Sequence, residues 1–380
     1  MRKIIILTAG VLLAVVMTAC DKNSNEDASI LPLLLTGGGG APVIVPAAGV
    51  PGDSETVTAG SETFKMIYAN NQTSITFPRT TSDDHTATLT RRFYIGETEV
   101  TNSLFAAVLQ WARDNDRIVE IAGAHNEVNE YTVKYGNKEL ININMYLGHP
   151  GRISYSPLSD TFSVVSGYEN HPVVNVSWYG AVMFCNWLTE VIDGSSANCV
   201  YSGMDVTWDY LETVEDASRT GYRLPSFQEW EYAARYRGTD SVNTVAGYAN
   251  PYFTRGNSAS GATTYTTDIT GAPDYAGKLA NDLVAVYGSY WNGSTWIDKG
   301  TSDTAPVKSL GNASANALGL YDMSGNVWEW TSTPQGVHFI VPGGGWSGFS
   351  THLRVGYLYT LAPALTDSGG AVGFRFARSK

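Results

Sequence analysis

The chain ends on Gly343-Gly344-Gly345-Trp346, then the run SGFSTHLRVGYLYTLAPALTDSGGAV over 347–372, then Gly373-Phe374-Arg375-Phe376. Both ends read as scaffold. Phe374 and Phe376 alternate with Arg375, as in a half-buried terminal strand, and Trp346, Arg354 and Val355 read as further framework. The run between them contains no Lys, Gln, Glu, Met or Trp. Within it Ser347, Gly348, Phe349, Ser350, His352, Leu358, Tyr359, Thr360, Leu361, Ala364, Leu365, Asp367, Ser368 and Gly369 are expected to project outward. That set mixes aromatic anchors with small polar residues, as paratopes do. Phe349 and Tyr359 are the expected affinity anchors, carried on loops that a rigid scaffold positions.

The whole chain has 380 residues and a formal charge of −12. That length buries a sizeable core and suits one large domain with extensions. Abundant Gly, frequent Trp and Tyr and sparse charge suit a loop-rich globular domain rather than a disordered chain. The acidic balance, with no basic stripe, excludes binding along a phosphate backbone, so no nucleic-acid partner is expected.

At the N-terminus Arg2 and Lys3 form a positive segment, and Ile4 to Val16 an apolar one too short to span a membrane comfortably. Met17-Thr18-Ala19-Cys20 resembles a bacterial lipobox. Residues 1–19 are therefore predicted to be a lipoprotein signal peptide and Cys20 the acylated first residue of the mature protein, anchored to a membrane without crossing it. Residues 20–61 read as a flexible tether, polar at first and then rich in Gly, Pro, Ala and Val. Of the other cysteines, Cys185 and Cys199 either form a disulfide or stay free, Cys185 packing as a small hydrophobe in an apolar helical run.

The domain proper is predicted to begin at Glu62. Phe64 to Tyr68, Ser74 to Phe77 and Arg92 to Gly96 read as strands. Thr101 and Ser177 cap two apolar-faced helices. Ser226-Phe227-Gln228-Glu229 is a capping box that opens a third. Beyond Arg235 helical signals are few. Helices early and short strands late predict an α+β domain with much irregular structure.

Five blocks occur in order: Phe93-Tyr94-Ile95-Gly96-Glu97-Thr98-Glu99-Val100-Thr101-Asn102; His171-Pro172-Val173-Val174-Asn175-Val176-Ser177-Trp178; Gly221-Tyr222-Arg223-Leu224-Pro225-Ser226 with Glu229 to Ala233; Gly319 to Trp330; and the terminal Gly-Gly-Gly-Trp and Gly-Phe-Arg-Phe pair. Together they resemble the formylglycine-generating-enzyme, or sulfatase-modifying-factor, family over residues 62–380. The resemblance implies a C-type-lectin-like fold of that subtype. The family includes oxidases, sulfoxide synthases and non-enzymatic binding proteins, so the site must decide function.

In the family's oxidases two cysteines converge on a soft metal. Alignment on Gly343 to Trp346 places them at Gly348 and Leu353, which ligate nothing. The histidines, His85, His125, His149, His171, His338 and His352, show no close metal spacing; His338 and His352 are the one pair with a prospect of meeting in space. No catalytic residue is expected. The resemblance also implies a structural calcium loop, with carboxylates from Asp322 and Glu329 and carbonyls from Gly325 and Val327.

The five residue types missing from the tail are those that an Asn codon cannot reach when its adenines are randomised. This resembles the variable proteins of diversity-generating retroelements, in particular lipid-anchored treponemal ones, and marks 346–372 as the variable region. The expected function is non-catalytic. A monomeric protein of the bacterial cell envelope, on the outer membrane or cell surface, would display a diversified face to a variable protein or glycan. The alternatives are a metal-dependent oxidase-type enzyme of the same family and a structural envelope lipoprotein.

Overall fold

The computed structural model describes residues 49–380 apart from 119, 124–130, 144, 147–148, 206, 267–272 and 365–369. Cys20 and most of the expected tether lie outside the described residues. The folded unit takes in residues 48–380, and it starts earlier than Glu62. Strand β1 (Ser54–Ala59) pairs antiparallel with β2 (Glu62–Asn70) across a tight turn. The predicted tether is therefore too long at its C-terminal end. Its last residues alternate exposed and half-buried positions, the period-two pattern of an edge strand.

Strands β3 (Ile75–Arg79) and β4 (His85–Leu89) form a separate hairpin, and β5 (Phe93–Gly96) returns to the first sheet. That sheet runs β1, β2, β5, the terminal strand Ala377–Ser379, then Tyr222–Arg223. The last strand of the chain thus lies inside the sheet, antiparallel to both neighbours.

The three predicted helices form where their caps place them. Helix α1 (Asn102–Asp114) starts where Thr101 Oγ1 accepts from Leu104 N, and α2 (Trp178–Asp193) where Ser177 Oγ accepts from Gly180 N. Each side chain satisfies a backbone donor that the first turn leaves open. Helix α3 (Phe227–Arg235) carries the full reciprocal box: Ser226 Oγ accepts from Glu229 N, and Glu229 Oε2 accepts from Ser226 N. Helix α2 ends at Gly194, whose φ of 67° is the left-handed conformation glycine adopts without strain. A fourth helix, α4 (Tyr275–Asp282), was not expected in the irregular half. It is short and contains Gly277, which weakens its sequence signal.

The main core packs α1 and α2 against the large sheet and the tail, with Phe184, Phe374 and Phe376 in ring contact. A second core gathers β3, β4 and α3 around Trp230 and Tyr232. Much of the remainder is loops and two-residue strands. Among the described residues no helix is long and apolar enough to cross a membrane.

Candidate binding face

The tail is held by its backbone. Gly343 and Gly344 take φ values of 101° and 79°, which a side chain rarely adopts. Trp346 N donates to Asn326 O at 2.8 Å, and its indole donates to Gly370 O at 3.2 Å. Gly348 O accepts from Gly288 N at 2.9 Å and Ser289 N at 3.1 Å. Val355 N reaches Ser258 O, Gly356 N reaches Gly256 O, Tyr359 O accepts from Val341 N, and Pro363 O accepts from Trp178 N, all at 2.8–3.1 Å. Thr360 and Leu361 pair with Ile340 and Phe339. Apart from the Trp346 indole, these bonds fix the path of residues 346–363 through backbone atoms alone. A change at an outward-facing side chain leaves the backbone bonds intact.

Most of the described tail residues project as expected. Phe349, Leu358 and Tyr359 are 40%, 44% and 43% exposed. Ser347 and Ala364 are exposed, and Gly348, His352 and Thr360 are half-buried. Ser350 and Leu361 are buried, contrary to expectation. Ser350 opens a single 3-10 turn, Ser350–Leu353, in which positions three apart share one side; Ser350 and Leu353 take the inner one. Leu361 pairs with Phe339, and both lie in the main core. Leu365, Asp367, Ser368 and Gly369 lie outside the described residues.

The tail's rings form a continuous aromatic band with the half-buried Trp296 and, beneath them, the buried Trp328. Its centroid separations are 4.4 Å from Trp296 to Phe349, 5.4 Å from Phe349 to His352, 5.2 Å from His352 to Tyr357 and 5.4 Å from His352 to Trp328. Trp328 lies 5.0 Å from Tyr359. Burial, reinforced by the nearby Arg354 charge, holds the His352 pKa below its ordinary value and favours the neutral imidazole. Sequence reasoning missed Trp296 and its neighbour Trp291. They stand on a hairpin of strands Ser289–Trp291 and Trp296–Asp298. The signal was present in Asn292-Gly293 between aromatic residues, a strong local hairpin mark.

Neither cysteine place is open. A Cβ built at Gly348 would lie 3.2 Å from His352 Nδ1 and 3.1 Å from Gly345 O. Leu353 is fully buried among Ala259, Ala262, Val284 and Tyr287. Cys185 and Cys199 are both free thiols. Burial raises both pKa values, that of Cys199 to about 11, so neither holds the thiolate that reactivity needs. Among the described residues no three His, Cys, Asp or Glu gather as a metal site.

The two carboxylates expected to hold calcium have other partners. The Glu329 carboxylate accepts from Arg375 Nε and Nη2 and from Trp230 Nε1, at 2.7–2.9 Å, with no exposure. Asp322 accepts from Lys308 N at 2.8 Å. Glu99 joins the group by accepting from Asn326 Nδ2 at 2.8 Å and Val327 N at 3.1 Å. Burial, and then the charges of Asp322 and Glu329, raise its pKa well above the ordinary value. As placed, Glu329 and its guanidinium partner do not fit calcium, because the cation beside the carboxylate is already Arg375. Chelation with EGTA is accordingly expected to leave the melting temperature unchanged. A rise on adding calcium would restore the ligand reading for Asp322, Gly325, Val327 and Glu329.

A cavity of about 290 Å³, lined by Lys65, Glu97, Glu99 and Lys308 among others, takes in no residue of the tail from Ser347 to Ala364.

The sulfatase-modifying factor enzyme 1-like domain matches residues 50–380. The chaperone protein LppX of Paenibacillus barcinonensis is 31% identical over 233 residues, covering 56% of this chain and 71% of that protein. The formylglycine-generating enzyme of Streptomyces coelicolor is 27% identical over 256 residues, 65% of this chain and 59% of the enzyme. The match thus spans less than two thirds of that enzyme's length. Among solved structures, Treponema denticola variable protein 1 aligns with 86% of this chain and 99% of its own, at a TM-score of 0.51 and 21% identity. That likeness confirms the fold expected from the terminal frame.

Proposed function

The chain belongs to the sulfatase-modifying factor family, and from that premise we propose that it is a non-catalytic binding protein. It is lipid-anchored at Cys20 in a bacterial envelope and presents a diversified C-terminal face to a macromolecular ligand. The observation that carries this reading is the filling of both cysteine places. His352 crowds the first, at Gly348, and a core leucine fills the second, at Leu353. Without those thiolates the family's cysteine chemistry has neither its soft-metal ligands nor its nucleophile. The backbone pinning of residues 346–363 supports the diversified part, since it leaves the outward side chains free of structural duty.

The test is direct. Purified protein, supplied with copper, oxygen and a cysteine-containing sulfatase-motif peptide, is expected to leave the thiol unconverted by mass spectrometry. Aldehyde formation would overturn the non-catalytic assignment. For the diversified part, the gene is expected to lie beside a reverse transcriptase and a near-copy of the tail's coding repeat that differs mainly at adenines. A locus without them removes diversification and leaves a lectin-like binding lipoprotein.

A further inference from the structure

Resting on the binding reading, we infer that the recognition surface extends beyond the tail onto the hairpin Ser289–Asp298. Trp296 there is a fixed anchor, and the partner is a polypeptide that presents apolar side chains. Trp296 is only half-buried, and its ring lies 4.4 Å from that of Phe349, an exposed ring of the tail. Trp291 backs it at 5.6 Å in an edge contact across the hairpin. The hairpin is fastened to the tail by backbone, through Gly288 N and Ser289 N on Gly348 O, and its first strand packs on the 3-10 turn Ser350–Leu353. Whatever side chain stands at 349 therefore meets Trp296. A ligand that covers Phe349 covers the indole as well.

The chemistry of the face selects the partner. From Ser347 to Ala364 there is no Asp, Glu, Asn or Gln. These planar polar side chains supply the paired donors and acceptors that polyhydroxyl ligands require. In their place stand Phe349, Leu358 and Tyr359, each about two fifths exposed. An exposed leucine offers a sugar neither a stacking face nor a hydrogen bond, whereas it fits the apolar centre of a protein interface, where Trp and Tyr dominate the energy. Charge agrees. The chain carries −12, yet this segment holds no carboxylate, and its one arginine, Arg354, is 8% exposed. The hairpin adds Asn292 and one exposed carboxylate, Asp298, which ends its second strand and accepts from Gly300 N at 2.7 Å.

The experiment is selection of a random peptide library, displayed on phage, against the immobilised protein, alongside a glycan array. Selected peptides should be rich in aromatic and aliphatic residues. Their affinity should fall at least tenfold for both Phe349→Ala and Trp296→Ala, with Trp296→Phe restoring most of it and unchanged melting temperatures confirming the fold. Peptides weakened by F349A but untouched by W296A would overturn the extension onto the hairpin and leave the tail as the whole surface. Binding to glycans alone would overturn the polypeptide assignment. Peptides indifferent to both substitutions would sink the binding face itself.

Discussion

Arg375→Met is expected to abolish soluble expression or to lower unfolding free energy by about 3–5 kcal/mol, the cost of removing one partner from a buried ion pair. The guanidinium is wholly buried and donates to both oxygens of Glu329, to Tyr321 O and to Gly96 O. Its loss leaves Glu99, Asp322 and Glu329 together, at most 3% exposed, without the cation that faces them. Two carbonyls lose a donor as well. The whole stability of a domain is about 5–15 kcal/mol, so one such change takes a large share. Urea denaturation gives the measurement. Adding Glu329→Gln should recover part of the loss, because the penalty lies mainly in the stranded charge. An R375M protein within about 1 kcal/mol of wild type, the range of exposed pairs, would contradict the role assigned to the arginine.

The second large effect is a pH dependence. The folded pKa of Glu99 is raised by burial and by Asp322 and Glu329, and that of Asp322 is raised by burial. The native state therefore holds protons that the unfolded chain releases. Stability from these groups is fully present below the unfolded carboxylate pKa and is lost as pH rises towards the folded values. The slope approaches about 1.4 kcal/mol per pH unit for each group between its two pKa values. Glu99→Gln cannot titrate, so its stability should decline less steeply above pH 5. Its absolute stability also carries the cost of an amide facing Asn326 Nδ2, which now donates to a Glu99 oxygen. The diagnostic is thus the slope rather than the offset. Parallel curves for the two proteins would mean that Glu99 is ionised in the fold, as it is in the unfolded chain.

Local signals were legible and distant ones were not. Thr101, Ser177 and Ser226 announce their helices because a cap acts within three residues. The fold was legible because five blocks with fixed order and composition survive in one chain. Strand β1 escaped because Ser54 to Ala59 has little apolar content and is fixed by pairing with β2. In the tail, outward projection was right for Phe349, Leu358 and Tyr359. It failed for Ser350 and Leu361, whose burial depends on a one-turn helix and on pairing with Phe339. The hairpin of Trp296 was legible in Asn292-Gly293, but its contact with Phe349 was not, because nothing in the order of residues says that the two meet. Likewise, the carboxylates Asp322 and Glu329 looked like a cation's ligands until the fold brought Arg375 beside them. Charge placed by tertiary contact is invisible to spacing.

The sheet order has a consequence for synthesis. The strand Ala377–Ser379 lies between β5 and Tyr222–Arg223, both made long before it. Those neighbours cannot be joined until residues 377–379 have been made. A product cut short by a stop or shifted out of frame anywhere in the tail would leave the sheet split, with two raw edges open to proteases. An intact reading frame through Ser379 is thereby the condition for survival, and the fold acts as its own inspector of the tail.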